Sequence, residues 1–199
     1  HTFYRAGPLI GSAMSGIDQA LWDIRGKALG VPVYQLLGGP YDQRGIRAYY
    51  HVQSIRTAED LAHLRESALK TGVSCLKIGL ADHDYEWIET NAKLERAVKS
   101  MQRVREGLGD SIDIAVDFHA KMSPAVASIM IKEVEPLHLL FVEEPCPPEN
   151  PEAMARIAKH STTPIATGER LVAAYGCRRL IELGAVDILQ TDINHVGGI

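Results

Sequence analysis

From residue 46 onward, short apolar segments alternate with longer segments that show helical periodicity. The apolar segments are mostly continuous, which is typical of strands buried on both faces of a parallel sheet. Each segment except the last is followed by a predicted helix, and such alternation indicates a parallel α/β fold. We predict six strands, at residues 46–52, 75–80, 113–119, 139–144, 164–169 and 186–192.

Capping signals support the predicted helices. Thr57, with Asp60 three residues later, predicts a capping box at the start of a helix over 57–72. Pro124 follows Ser123 and is typical of the first position of a helix. The other predicted helices cover residues 12–29, 86–108, 151–160 and 173–183.

Two architectures share this alternation: an open, doubly wound sheet and a (β/α)8 barrel. No GxGxxG motif follows the first predicted strand, so the dinucleotide-binding version of the doubly wound sheet is weakly supported. A complete barrel has eight units and typically about 250 residues, whereas this chain has 199. We therefore expect a (β/α)8-type, TIM-like barrel of about six units. Both ends look truncated, because the chain lacks an initiator Met and stops at HVGGI.

Composition excludes several classes of partner. The net charge is −4, so nothing attracts a nucleic-acid backbone. No apolar run approaches the ~20 residues of a membrane span, and the first residues lack the pattern of a signal peptide. The widely spaced Cys75, Cys146 and Cys177 include no CxxC motif, which indicates reduced thiols and a cytoplasmic protein.

Four consecutive predicted strands end with a carboxylate: Asp117, Glu143, Glu169 and Asp192. The first three are 26 residues apart, about one βα unit, so we expect them at equivalent positions on neighbouring strands. Carboxylates that meet in a dry pocket need a cation, and oxygen ligands suit Mg²⁺. The alternative is that each carboxylate caps the next helix. Glu144 should point to the opposite face and have a structural role.

Other polar residues extend this candidate site. His119 lies two residues after Asp117, on the same side by strand periodicity, and is a candidate general acid or base. Lys77 could steady an anionic substrate, or could be an ordinary solvated lysine. His51, at the end of the first predicted strand, could line the pocket. The role of His195, after the sixth strand, is left open.

A family resemblance adds to these observations. The segment SAMSGIDQALWDIRGKALGVPVYQLLGG resembles the first signature of the mandelate racemase/muconate lactonizing branch of the enolase superfamily. The segments VDFH, VEEP and GER are similar to the metal-ligand pattern of that branch. Within it, the chain looks most like the galactonate dehydratase-like acid-sugar dehydratases, which carry a His two residues past the first ligand. Gly79 stands where lysine-based members carry their second strand-two lysine, so a lysine base is not expected there.

The resemblance implies a domain division and a reaction. Residues 1–45 would be the C-terminal helices of an N-terminal α+β capping domain, and residues 46–199 a partial barrel. The reaction would be Mg²⁺-dependent dehydration of a galactonate-like aldonate to a 2-keto-3-deoxy acid, through proton abstraction beside the carboxylate and an enediolate. The implied metal ligands are Asp117, Glu143 and Glu169.

The same resemblance implies roles for two further residues. His119 would be the general acid. Asp192 would partner a histidine base that is expected beyond residue 199. The resemblance also implies a homo-oligomer, either a dimer or an octamer. Three alternatives stay open: a racemase or cycloisomerase of the same branch, a dehydratase of mannonate or gluconate, and a catalytically empty barrel piece.

Overall fold

The computed structural model describes residues 7–52, 55, 57–80 and 87–199. Its strands form one parallel sheet in the sequential order β1 to β6. A doubly wound sheet reverses its strand order at a switch point, whereas a barrel does not. The sequential order therefore supports the barrel-type α/β prediction. The strands are β1 Tyr50–Val52, β2 Cys75–Gly79, β3 Asp113–Asp117, β4 Phe141–Glu143, β5 Ile165–Thr167 and β6 Ile188–Leu189.

The helices follow the predicted alternation. The capping box is confirmed, because Thr57 Oγ1 accepts from the backbone N–H of Asp60 while the Asp60 carboxylate accepts from that of Thr57. Ser123 caps α5, and Pro124 is its first residue. The helices are α1 Pro8–Leu29, α2 Val33–Leu36, α3 Ala58–Thr71, α4 Asn91–Leu108, α5 Pro124–Val134, α6 Pro151–His160 and α7 Ala173–Glu182, with a 3-10 turn at Glu135–Leu137.

Several predicted boundaries are wrong. The strands are shorter than the apolar segments, because strand length is set by pairing with a neighbour rather than by apolarity alone. The helix predicted from residue 86 begins at Asn91, since Thr90 provides the N-cap and Ile88 forms a bridge to Met122 instead. Residue 86 itself lies outside the described residues. The helix α2 and the 3-10 turn were not predicted.

Contacts between Cα atoms divide the chain into two compact units. The first contains His1–Arg47, Gly168–Arg179 and Gln190–Ile199, and the second contains Ala48–Thr167 and Leu180–Leu189. The whole sheet belongs to the second unit. The predicted domain boundary at residue 45 stays a prediction. None of the helices among the described residues is both long and apolar enough to cross a membrane.

Both faces of the sheet in the second unit are buried along β2 to β5. On one face, side chains from successive strands form an apolar cluster: Cys75, Ala115, Phe141 and Ala166. Leu76 and Ile114, whose side chains point to the opposite face, are also buried. Outside the strands, α3 packs on α4, α4 on α5 and α5 on α6. This two-sided burial explains why the strands read as continuous apolar runs.

Arg105 on α4 ties together the segments that lead into the two strands carrying the candidate ligands. Its guanidinium donates to the carbonyl oxygens of Gly109 and Ile112, before β3, at 3.0 and 2.9 Å. It also donates to those of Leu137 and His138, before β4, at 2.9 and 3.2 Å. One planar group with several fixed N–H donors thus satisfies four backbone acceptors.

Replacing Arg105 with Met should lower the free energy of unfolding by about 1–3 kcal/mol, because backbone acceptors lose a partly buried donor. Lys should restore little of this, since an ammonium lacks the planar fork. Chemical denaturation would measure both variants, with Arg96→Met on the exposed side of α4 as the control. Equal stability of the Arg105→Met and Arg96→Met variants would contradict this role.

Candidate metal centre

Asp117 and Glu143 are the last residues of β3 and β4. They are direct register partners in the parallel pair, so both carboxylates leave the same face of the sheet at its carboxyl edge. Both residues are buried, at 1% and 2% exposure. Two buried carboxylates at neighbouring positions repel each other unless a cation lies between them.

Lys77 provides such a cation in the structure. Its Nζ lies 2.9 Å from Asp117 Oδ2 and 2.6 Å from Glu143 Oε2. Burial alone would lower the pKa of Lys77, but hydrogen bonds to Glu143 and Asp117, together with their charges, outweigh it and raise the pKa above its ordinary value. Lys77 is buried, so the alternative of a solvated surface lysine is wrong.

Glu169 lies at a different position along the chain, relative to β5, than the even spacing predicted. The register partner of Glu143 on β5 is Ala166, three residues before Glu169. The connection from β4 to β5 is shorter than that from β3 to β4, so the same step in sequence passes the end of the strand. Glu169 belongs to the first compact unit, whereas Asp117 and Glu143 belong to the second, so its place as the third ligand stays a prediction.

Carboxylate oxygens are the ligand type that hard divalent cations prefer. Asp117 and Glu143 offer such oxygens, as does Glu169, the predicted third ligand. The combined charge of Asp117 and Glu143 exceeds the single positive charge of Lys77 by one. Gly79 is the last residue of β2 and the register partner of Asp117, so no second lysine enters this edge from β2.

His119 lies beside Asp117, as predicted, but a turn of the backbone after the strand places it there rather than the alternation of a continuing strand. β3 ends at Asp117, and His119 has a left-handed backbone with φ 47°. Its backbone N–H donates to Asp117 Oδ1 at 2.8 Å, and its Nε2 lies 3.3 Å from Asp117 Oδ2. The imidazole is partly exposed, so it can reach both the carboxylate cluster and solvent.

Left-handed backbone continues around the ligands. Ala120 and Glu144 have φ 54° and 44°, which is uncommon for residues other than glycine. Backbone bonds between the two loops hold these conformations: Phe118 N–H donates to the Glu143 carbonyl, and Ala120 N–H to that of Glu144, at 2.9 and 2.8 Å. The pairing of β3 with β4 therefore extends past both strand ends.

Glu144 is fully buried, and its carboxylate accepts from the hydroxyl of Thr167. This arrangement is consistent with the structural role predicted for it. Burial, followed by the charge of Glu144, raises the pKa of the Cys146 thiol to about 11. Cys75, Cys146 and Cys177 are all buried free thiols.

The remaining candidate residues lie elsewhere on their strands than predicted. His51 is in the middle of β1, is the register partner of Lys77, and is exposed. Asp192 comes three residues after β6 rather than at its end. Its Oδ2 lies 3.5 Å from Nε2 of His195, and His195 Nδ1 lies 2.7 Å from Ser12 Oγ. The Asp-x-x-His spacing could have indicated the contact between Asp192 and His195. No nearby sequence pattern could have indicated the contact between His195 and Ser12.

Comparisons with known proteins show which family the chain resembles. A family model described as enolase C-terminal domain-like matches residues 59–199. A second, described as the mandelate racemase/muconate lactonizing enzyme N-terminal domain, matches residues 1–38. The chain is 41% identical to a D-galactonate dehydratase of Ralstonia pickettii and 42% identical to one of Pectobacterium atrosepticum. In both cases the match covers 99% of this chain and 51% of the relative, so the chain spans about half their length.

Solved structures of the same superfamily are similar to this chain in fold. An enolase superfamily member from Salmonella Typhimurium superposes with a TM-score of 0.84 at 30% identity, over 98% of this chain and 54% of that one. A mandelate racemase/muconate lactonizing enzyme-like protein from Rubrobacter xylanophilus gives 0.81 at 30% identity, over 94% and 53%. The chain therefore belongs to the enolase superfamily, in its mandelate racemase/muconate lactonizing enzyme branch.

Proposed function

We propose that this chain carries the metal site and the general acid of a Mg²⁺-dependent acid-sugar dehydratase. The substrate would be an aldonate of the galactonate type, and the product its 2-keto-3-deoxy acid. The observation that carries the proposal is the pair of buried carboxylates of Asp117 and Glu143, which stand at matched ends of β3 and β4 and share the ammonium of Lys77. The D-galactonate dehydratases that are 41–42% identical to the chain support the choice of substrate.

The residues have distinct roles in this proposal. Asp117, Glu143 and Glu169 would hold Mg²⁺, which supplies Lewis-acid stabilisation of negative charge on a substrate carboxylate. Lys77 keeps two of these carboxylates side by side and screens their repulsion. His119 would give a proton to the 3-hydroxyl as it leaves as water, and its partial exposure leaves it accessible to substrate.

The proton beside the substrate carboxylate must go to a base. We assign Asp192 the task of orienting a histidine base, as the family resemblance implies. Removal of that proton and departure of the 3-hydroxyl as water leave an enol, which becomes the 2-keto acid. His51, on the strand beside Lys77, would contact the substrate.

The test is a turnover assay of the full-length protein with Mg²⁺. A panel of aldonates containing galactonate, mannonate and gluconate is incubated with the protein, and 2-keto-3-deoxy acid is measured. We expect galactonate to be converted fastest. Exchange of the 2-proton with solvent deuterium, without any elimination across the panel, would overturn the dehydratase and favour the racemase alternative, in which His119 serves as one of two bases.

Two further statements about the whole protein are part of the proposal. The division into the last helices of a capping domain, at residues 1–45, and a barrel portion, at 46–199, follows from the resemblance. So does a homo-oligomer, either a dimer or an octamer. Light scattering of the full-length protein would measure the oligomeric state, and a monomer would contradict it.

A further inference from the structure

Within the first unit, the segment 192–199 is held by polar side chains of α1. These side chains are those of Ser12, Ser15, Asp18 and Gln19. The backbone N–H of Gly197 donates to Ser15 Oγ, and that of Ile199 to Asp18 Oδ2, both at 2.9 Å. Ser15 is fully buried. The segment therefore has defined side-chain partners on the helix.

The two chain segments approach each other closely. A Cβ at Gly11 would lie 2.5 Å from the carbonyl oxygen of His195, closer than atoms can pack. A Cβ at Gly198 would lie 2.6–2.8 Å from the side chain of Asp18. Glycine at both positions permits this contact, so the backbone at His195 is placed by α1.

One ring nitrogen of His195 is within hydrogen-bond distance of Ser12, and the other lies at ion-pair distance from Asp192. Its Nδ1 lies 2.7 Å from Ser12 Oγ, and its Nε2 lies 3.5 Å from Asp192 Oδ2. The other oxygen of Asp192, Oδ1, accepts from the backbone N–H of Asn194 at 2.8 Å. Each oxygen of the Asp192 carboxylate thus faces a potential donor.

The available hydrogens decide which tautomer is compatible with this geometry. Ser12 has one hydroxyl hydrogen, and Oγ also lies 2.8 Å from the carbonyl oxygen of Pro8. If that hydrogen points to His195 Nδ1, a neutral imidazole carries its own hydrogen on Nε2, facing Asp192. If it points to Pro8, Nδ1 donates to Ser12, and Nε2 carries a hydrogen only in the imidazolium. An Nε2 without a hydrogen would direct its lone pair at the negatively charged carboxylate of Asp192, and the two would repel each other.

We propose that His195 is a positioning residue that is held by Ser12 at Nδ1 and donates from Nε2 to Asp192, fixing the orientation of that carboxylate. The inference rests on the proposed function, in which Asp192 orients the base. The orientation and basicity of a catalytic histidine depend on the carboxylate that accepts its N–H. His195 acts through Asp192 and touches no reacting atom.

The test compares two substitutions that each preserve one half of the imidazole. In His195→Gln the amide nitrogen can occupy the Nε2 position and still donate to Asp192. In His195→Asn the amide reaches only the Nδ1 position near Ser12. The full-length enzyme with Asn should lose about tenfold in kcat with KM nearly unchanged, the scale typical of outer partners of a catalytic group. The Gln variant should retain most of kcat, and equal kcat values for the two variants would overturn the proposal.

A second measurement separates this inference from the proposed function. Nitrogen-15 NMR of the His195 ring in the unmodified protein reports which ring nitrogen carries hydrogen, whether or not any aldonate is turned over. We expect a hydrogen on Nε2, and Asp192→Asn should shift the Nε2 resonance. A ring protonated only on Nδ1 would overturn the positioning role. Failure of the aldonate panel together with an Nε2–H that responds to Asp192→Asn would count against the dehydratase alone.

Discussion

Replacing Glu169 with Gln should reduce turnover of the full-length enzyme by more than about a hundredfold, since outer partners of a metal ligand alone cost 10–100-fold. An amide oxygen keeps the shape of the carboxylate but lacks its charge, so Mg²⁺ would lose one of the three anionic ligands proposed for it. Mg²⁺ affinity, measured by calorimetry on each protein, should fall in parallel.

The matched control for this prediction is Glu106→Gln. Glu106 is an exposed glutamate on α4 and is not one of the three proposed ligands. The substitution makes the same chemical change and should alter neither turnover nor Mg²⁺ affinity. Retained turnover and Mg²⁺ affinity in Glu169→Gln would remove Glu169 from the metal site.

Replacing Lys77 with Met should lower the free energy of unfolding by about 3–5 kcal/mol in the absence of Mg²⁺, the usual cost of leaving buried charges without their partner. Met has a similar length and no charge, so Asp117 and Glu143 would face each other without the ammonium that now lies 2.9 and 2.6 Å from them. Added Mg²⁺ should restore part of this stability, because it binds the folded form and supplies positive charge.

Chemical denaturation with and without Mg²⁺ would measure this effect. Lys99→Met is the control, because Lys99 is an exposed residue of α4 that forms only a 3.7 Å surface pair with Glu95 among the contacts described. The raised pKa of Lys77 means that its contribution is fully present below the ordinary value of 10.5 and is lost as pH rises through the higher folded value. A Lys77→Met protein as stable as Lys99→Met would contradict the role of the buried ammonium.

Much of the fold could be predicted from the sequence because its pattern is local. Alternation of apolar runs with capped helices indicated six parallel strands, and Thr57 and Pro124 marked two helix starts correctly. The ends of the elements depend on partners elsewhere in the chain. Ile88 bridges to Met122 rather than entering the predicted helix, and no local pattern encodes that pairing.

The candidate site was predictable in residue type but not in geometry. Asp117 and Glu143 are at matched strand positions, whereas Glu169 lies beyond the end of β5, because the strand register, not the sequence interval, decides position. The burial of Lys77 between two carboxylates depends on the pairing of three strands. The contact between Ser12 and His195 joins residues 183 apart in sequence, so no local motif could indicate it.

The left-handed backbone at His119 limits how this site can change by single substitutions. A residue at φ 47° is tolerated best as Gly, Asn, Asp or His, and Val, Ile or Thr would be strained there. In a saturation library at position 119, we expect folded variants to be concentrated among these permissive residues. Because the neighbouring loop holds this backbone through Ala120 and Glu144, relaxing it would also displace the chain beside Glu143. A substitution that introduces a bulkier acid or base beside the carboxylates would therefore have to be made at a position other than 119.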